Sequence, residues 1–479
     1  MKSIWKQDVV LKANSELHHD TSVNTVIIGA GMTGIITAYL LKKKGIDAIV
    51  LEAARMGSGQ SGNTTAKITS QHGLFYSKMI RKVGRARLKG YAMANEEAID
   101  QFGQIIKDEN IDCDFERLPA VLYTTDDCNI RELKKEANTA KKLGIGAYYT
   151  ENMTDVSLNT VNAKGAVFYE NQAQFHPLKF IKALSDKLTI YENTPVRTVK
   201  GHTVYTDRGR IEADHIVFAT HYPFMNIPGF YFMREHQERS YVLALKEAGN
   251  CKTQNKNDMP QSALSAMYYS IDKNGLSLRK HGDLILLGGG SHRTGKRTTC
   301  KNEEVGYTFL RKMKEKYYPK AEIVTAWSAQ DCMPHDDIPF IGKYSVFRPY
   351  WYVASGFKKW GMTSSMIAAE IISDAIRIST DCGVKTKDSG KGIARYAPVF
   401  SPQRFLLRAS IHKLMIDLWE STVGLLKGIF APSDRKCPHM GCRLEWNYEE
   451  KSWDCPCHGS RFTNEGNLVD NPAQTDLQR

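Results

Sequence analysis

What the 479-residue sequence lacks narrows its class before any motif is read. It holds no apolar run approaching the roughly 20 residues of a membrane-spanning helix, so a soluble globular protein is expected. Its first residues, MKSIWKQDVVLKANSELHHD, have no apolar stretch of about 7–15 residues followed by a small-residue cleavage site. A secretory leader is therefore not expected, and a cytoplasmic location is. Cysteine is no more than ordinary, at 10 residues, and six of them (Cys113, Cys128, Cys251, Cys300, Cys332, Cys382) are scattered singly, as reduced structural thiols would be. Acid is outnumbered, 52 residues against 65 basic ones, and the resulting charge of +13 on its own fits a nucleic-acid or anionic-membrane partner. The length predicts two or three domains at roughly 100–200 residues each, which excludes a lone binding module. The one compositional anomaly is local: Cys437, Cys442, Cys455 and Cys457 fall within 21 residues near the C-terminus.

Residues 24–28, NTVII, are a short β-branched run that reads as a buried parallel strand, and Gly29-Ala30-Gly31-Met32-Thr33-Gly34 follows directly. Behind the glycines, apolar residues recur at helical spacing from Ile35 to Leu41, and Gly45 supplies the stop. A second strand, AIVL, ends at Glu52, 18 residues after Gly34. Strand, glycine turn, helix, strand and acid make a complete dinucleotide-binding unit. In it Gly29 permits the tight turn, Gly31 lets the backbone approach a pyrophosphate, Gly34 lets helix and strand pack closely, and Glu52 can accept from ribose hydroxyls. Gly288-Gly289-Gly290-Ser291-His292-Arg293-Thr294-Gly295 has the wrong spacing and no apolar helix behind it, so a second, NAD(P)H-binding unit is not expected.

A long glycine, serine and threonine loop follows Glu52, and three later segments complete a pattern. These are IEADHIVFAT (residues 211–220), Asp336-Asp337-Ile338-Pro339-Phe340-Ile341-Gly342, and Gly356-Phe357-Lys358-Lys359-Trp360-Gly361-Met362-Thr363. With them the chain resembles the FAD-dependent oxidoreductases of the D-amino-acid oxidase, glycine oxidase and sarcosine oxidase superfamily over about residues 20–380. The resemblance implies an α/β (α+β) FAD-binding Rossmann-type fold with an inserted substrate domain. It implies that Gly29, Gly31, Gly34, Glu52, Thr64 and Thr65 touch the ADP half of FAD, that Val196 lies near the adenine, and that Gly356, Gly361, Met362 and Thr363 lie near the flavin ring. Arg239 and Arg293 are candidates for a substrate carboxylate, with Tyr241, Tyr268 and His335 as pocket residues.

The cysteine cluster reads Cys437-Pro438-His439-Met440-Gly441-Cys442, then 12 residues, then Cys455-Pro456-Cys457-His458-Gly459-Ser460. Cys437, His439, Cys455 and His458 put one thiolate and one imidazole on each of two loops, the ligand set of a Rieske 2Fe–2S centre. Zinc accepts the same four groups, but zinc fingers pair Cys with Cys and His with His. The flanking Gly-Cys and Pro-Cys-His-Gly-Ser also resemble the Rieske family, which implies a small all-β C-terminal domain. By that resemblance Cys442 and Cys457 form a disulfide, a thiol pair being the alternative in a reducing compartment. Ser460 matches a serine that donates to a cluster sulfur, and Phe462 replaces a tyrosine, which predicts a lowered potential. Asn471-Pro472-Ala473 resembles the loop that covers the cluster. Only about eight residues separate Cys437 from the preceding helix, so the basal half of the domain is expected to be short or absent.

Residues 383–403, rich in Gly, Ser, Pro and Lys, read as a linker, and residues 404–427 as an amphipathic helix with a broad apolar face. Packing of that face on the flavin or Rieske module is expected ahead of membrane-surface attachment. The domain scheme is then 1–382 for the flavin part, 383–428 for linker and helix, and 429–479 for the Rieske part. Residues 437–479 hold four basic and seven acidic side chains, a net −3, which leaves +16 for the rest and points to docking between modules, not to nucleic acid. The two resemblances together imply an FAD-dependent dehydrogenase of an amine, amino acid or related small molecule, with a quinone or soluble electron-transfer protein as acceptor. Electron flow from cluster to flavin in a reductase, and a non-catalytic redox sensor or electron-transfer protein, are the alternatives.

Overall fold

The computed structural model describes residues 2–152, 161–247, 264–296, 306–381 and 390–478; Cys251, Cys300 and Cys382 lie outside them. Strand β1 (Thr21–Ile28) ends in four buried residues, as a parallel strand covered on both faces requires. The glycine turn then enters helix α1 (Met32–Lys43), and β2 (Ala48–Leu51) returns parallel to β1, with Ile28 opposite Leu51. Strand β3 (Arg210–Phe218) pairs with the other side of β1, also in parallel. Neighbours therefore diverge to both sides of β1, which opens a crevice at the strand ends where open α/β sheets bind their ligands.

A second sheet of eight strands takes three from residues 120–169, before β3, and the rest from after it. Its long strand β4 (Glu235–Glu247) is antiparallel to both β5 (Leu284–Arg293) and β6 (Ala321–Pro334). Strand β7 (Arg348–Ser355) then rejoins the first sheet beside β3, so the strands of the second, mixed sheet are inserted in the Rossmann-type framework, some before β3 and some between β3 and β7. Helix α2 (Gly361–Thr380) packs on α1, and Thr33 Oγ1 meets Ser365 Oγ at 2.9 Å between them.

The stretch expected as a linker differs from that reading where it is described. Residues 392–400 form two short helical turns whose Ile393, Val399 and Phe400 are buried in the main core. Arg404 is also buried, and its Nε and Nη2 reach the two oxygens of Asp336 at 2.7 and 2.9 Å. The bidentate pair fixes the entry to helix α3 (Leu407–Ile429).

The orientation of α3 also departs from expectation. Its buried residues are Ala409, Asp417, Gly424 and Gly428, while Met415, Trp419 and Leu426 face outward. A Cβ on Gly424 would lie 2.5 Å from Cys457 Sγ, and one on Gly428 would lie 2.0 Å from the Gly441 carbonyl oxygen. Glycine lets the helix backbone touch the two cysteine loops. Beyond α3, four short antiparallel strands (residues 445–447, 452–454, 461–462 and 468–470) make a small sheet. Its core is Leu444, Phe462, Ala473 and Leu477 with four cysteines, too few groups to stabilise a free-standing domain.

Candidate functional site

A cavity of about 770 Å³ occupies the crevice at the ends of β1 to β3 and extends between the two large sheets. Gly29, Gly31, Glu52, Thr64, Thr65 and Val196 line it, as do Gly361 and Met362. Gly29 has φ +109°, and a Cβ there would meet the Ala219 carbonyl oxygen at 2.5 Å. Gly34 does not face the cavity. A Cβ on it would lie 1.9 Å from Gly29 O, so its place is in the contact between α1 and the turn. Gly356 and Thr363 are also off the cavity wall: Gly356 turns at φ +73° against Glu235 and Pro334, and Thr363 Oγ1 donates to Thr69 O at 3.3 Å. Glu52 accepts from the N–H groups of Ala30 (2.9 Å) and Ala54 (3.0 Å), and burial raises its carboxyl above the ordinary value.

The Gly31 turn suits a bound diphosphate. Gly31 is the residue before α1 and provides no side-chain cap, so the helix's first N–H groups point toward the cavity, and only Met32 N has a side-chain partner, Ser61 Oγ at 2.8 Å. The cavity, with Gly29 and Gly31 in its wall beside β1 and both polar and apolar groups around it, fits a flavin dinucleotide.

The cysteine loops lie against this cavity. Cys437 and Cys455 are buried free thiols, and Cys442 and Cys457 are joined in a disulfide. The Sγ atoms of Cys442, Cys455 and Cys457 lie within 4.8 Å of one another, but the disulfide leaves only Cys455 of the three able to ligate. The imidazoles of His439 and His458 stand perpendicular, with ring centroids 4.9 Å apart. Burial lowers both rings, to about 4 and about 3, so each is neutral with a lone pair to offer. Both Nδ1 atoms are buried without a hydrogen-bond partner, whereas His439 Nε2 faces Asn226 Oδ1 at 2.8 Å. Two orphaned imidazole nitrogens beside two buried thiols are the donor set that an iron–sulfur centre with mixed ligands needs. Ser460 lies against Cys437, and Phe462 is wholly buried.

Four side-chain amides join the loops to the flavin part. Gln330 lines it and donates from Nε2 to Gly459 O (2.7 Å), while Gln237 Nε2 donates to His458 O (2.7 Å) and Asn471 O (3.0 Å). Gln60, on the glycine-rich loop, accepts from Gln330 N (2.7 Å) and donates to Asp470 (3.1 Å). Asn471 donates to the carbonyls of Thr220 and Tyr222 at 3.0 and 2.7 Å. Gly295 contributes here too, because a Cβ on it would lie 2.3 Å from Pro456 N; its glycine-rich segment serves a close module contact.

The five candidate substrate residues separate. Tyr241 and Arg239 line the cavity, and Tyr268, Arg293 and His335 do not. Tyr268 is in the core of the second sheet. Arg293 pairs with Asp417 of α3 and donates to the Pro456 and Cys457 carbonyls, and His335 Nε2 meets the same Asp417 at 2.5 Å. Both therefore serve the contact with α3 and the cysteine loops. Arg239 is not free for a substrate carboxylate either: its guanidinium reaches Glu450 at 2.8 Å and Asp470 at 3.5 Å across the module boundary. Arg461 binds the same two acids and also Asp454 at 3.0 Å, so two buried cations share one buried and two half-buried anions. Docking by opposite charge, suggested by the sequence arithmetic, takes this form.

Sequence reasoning missed the lysines of the cavity wall. Lys359 Nζ donates to Ser240 Oγ (3.0 Å) and Ser291 Oγ (2.7 Å), and Lys67 Nζ to Tyr268 O and Ser277 Oγ, both at 2.7 Å. Burial lowers the Lys67 ammonium to about 7. It also missed Gln237, although Glu235, Gln237 and Arg239 put three polar residues on one face of β4, a pattern unfit for a plain core strand.

Residues 24–375 match the family described as FAD dependent oxidoreductase, and residues 411–479 match the Rieske [2Fe-2S] domain. The chain is 34% identical over its whole length to YhfW of Bacillus subtilis (strain 168), named as a Rieske 2Fe-2S iron-sulfur protein, and covers 97% of it. It is 23% identical to gamma-glutamylputrescine oxidoreductase of Escherichia coli (strain K12) over 42% of this chain and 50% of that one. Among solved structures, glycine oxidase from Geobacillus kaustophilus superposes with a TM-score of 0.62 at 17% identity, over 81% of this chain and 100% of that one. The chain belongs to the FAD dependent oxidoreductase family and carries a C-terminal Rieske domain. It is an enzyme whose cofactors are FAD and a 2Fe–2S cluster. Among the described residues no helix is long and apolar enough to cross a membrane.

Proposed function

We propose that the protein is a dehydrogenase of an amine, amino acid or related small molecule whose electrons leave through the Rieske centre to an external acceptor, a quinone or an electron-transfer protein. When bound, FAD takes a hydride equivalent and gives electrons up singly, and a 2Fe–2S cluster accepts them one at a time. The observation that carries the reading is the seating of the cysteine loops on the cavity wall, where Gln330 bonds Gly459 and Asn471 bonds Thr220. An enzyme that passed its electrons to oxygen from the cavity would need no such contact.

In this reading Cys437, His439, Cys455 and His458 hold the cluster, with the Cys442–Cys457 disulfide fixing one loop to the other. Gly29, Gly31, Glu52, Thr64, Thr65 and Val196 hold the ADP half of the dinucleotide, and Gly361 and Met362 border its ring end. Lys359, held between Ser240 and Ser291 with Glu238 at the longer distance of 3.8 Å, replaces Arg239 and Arg293 as the cation facing the substrate space. The names of gamma-glutamylputrescine oxidoreductase and glycine oxidase support amines and amino acids as the substrate class.

Anaerobic addition of a panel of amines and amino acids tests the reading. A true substrate bleaches the flavin band, after which a rhombic Rieske EPR signal grows in. If no compound bleaches the flavin and a reduced carrier protein does, electrons run the other way.

A further inference from the structure

Helix α3 is turned inside out relative to an ordinary surface helix. At about 100° per residue, Ile411, Met415, Trp419, Leu426, Ile429 and the terminal Phe430 fall within about 100° of one another. All six are exposed, Trp419 to 69% and Phe430 to 89%. Nothing described packs on them, and the opposite face, with Gly424 and Gly428, is pressed to the cysteine loops.

Charge on the helix is sorted the same way. Both of its acids are engaged on the protein side: Asp417 meets Arg293, His236 and His335, and Glu420 pairs with Lys296 at 2.7 Å. Arg408, His412 and Lys427 are exposed, and among the described residues no acid pairs with Arg408 or Lys427. Just past the helix Asp434 and Arg435 are both exposed, so that segment adds no net charge. The outward face thus offers an apolar stripe, including a tryptophan, with Arg408 and His412 on its own line toward the N-terminal end and Lys427 to one side, on a chain of net charge +13.

We infer that this face of α3 docks on an anionic lipid surface. A stripe of this kind lies in the headgroup boundary with its apolar side chains inserted, and the cations add attraction to acidic lipid. A soluble protein partner would have no need of an apolar face that runs the whole helix and carries cations while both acids of the helix are turned to the protein side. The helix is fixed to the Cys437 and Cys455 loops through Gly424 and Gly428, so docking would bring those loops, whose Pro438 is exposed, close to the membrane surface. The inference rests on the fold and not on the direction of electron flow, and a binding assay without turnover tests it separately.

Flotation of the full-length holoprotein with phosphatidylcholine vesicles containing about one-third phosphatidylglycerol is the experiment. The wild type should float with these vesicles, float poorly with pure phosphatidylcholine, and be released as salt rises. The triple variant Trp419→Ser, Leu426→Ser, Phe430→Ser should lower the partition coefficient on the order of a hundredfold, with flavin and cluster spectra unchanged. The pair Arg408→Glu, Lys427→Glu should lose the preference for anionic vesicles while leaving the stripe intact. The inference is overturned if the wild type stays with the soluble fraction, whether as a monomer or as a dimer that the triple variant dissociates. Flotation that the triple variant does not reduce also overturns it.

Discussion

Arg239 separates a docking role from a substrate role. Replacing it with methionine keeps the bulk of the side chain and removes the cation that Glu450 meets at 2.8 Å and Asp470 at 3.5 Å. Breaking a buried pair ordinarily costs about 3–5 kcal/mol, because the surviving charge is left without a partner. Here Arg461 stays, at 2.8 Å from Asp470 and 3.3 Å from Glu450, and although it also bonds Asp454 at 3.0 Å, neither acid is left without a cation and both are partly open to water. The expected loss is therefore smaller, about 2 kcal/mol, or about thirtyfold in the balance between docked and undocked loops. Hydrogen–deuterium exchange of peptides spanning residues 450–474 should rise by that factor in Arg239→Met, with flavin content unchanged. Because both guanidiniums are buried, raising the salt should not reproduce the effect in the wild type. Adding Glu450→Gln should cost less in the Arg239→Met background than alone, since the two groups are partners. A variant whose exchange is unchanged and whose KM for a carboxylate substrate rises would refute the reasoning and return Arg239 to the substrate.

The other expectations concern the amide bridge, a buried acid and the glycine contact. Gln237→Leu leaves the His458 carbonyl without its 2.7 Å donor, at a cost of about 1–3 kcal/mol, and should slow cluster reduction in single-turnover stopped flow with the EPR signal unaltered; an unchanged rate would rule the bridge out. Burial pushes the Glu235 carboxyl up to about 8, with Ser355 Oγ donating to it at 2.8 Å. The folded state then binds the extra proton between the ordinary carboxylate range and about pH 8, so stability falls as pH rises across that window, by up to about 1.4 kcal/mol per pH unit. Glu235→Gln, which mimics the protonated form, should flatten that slope in denaturant titrations run from pH 5 to pH 8. Gly428→Ala places a methyl 2.0 Å from a backbone oxygen that cannot yield, which forces α3 off the loops at about 1–3 kcal/mol. Iron and sulfide content of the purified variant should drop while FAD is retained.

Both cofactor motifs were legible in the sequence because each is local. A turn that must have positive φ at Gly29 and no Cβ at Gly34 leaves few residue choices, and a centre with two ligands per loop fixes Cys-x-His and Cys-x-x-His by its own size. The order of the flavin segments was readable for the same reason. The tertiary structure alone decided which polar groups serve chemistry and which serve docking. Arg239, Arg293 and His335 have the composition of a carboxylate pocket, yet their partners Glu450 and Asp417 are more than 80 residues away in the chain. Helix α3 has the pattern of a core-packing helix, but two glycines and an aspartate point its small, polar side inward and its apolar side out. Periodicity records that a helix has two faces; which of them is buried depends on the surface that the rest of the chain presents.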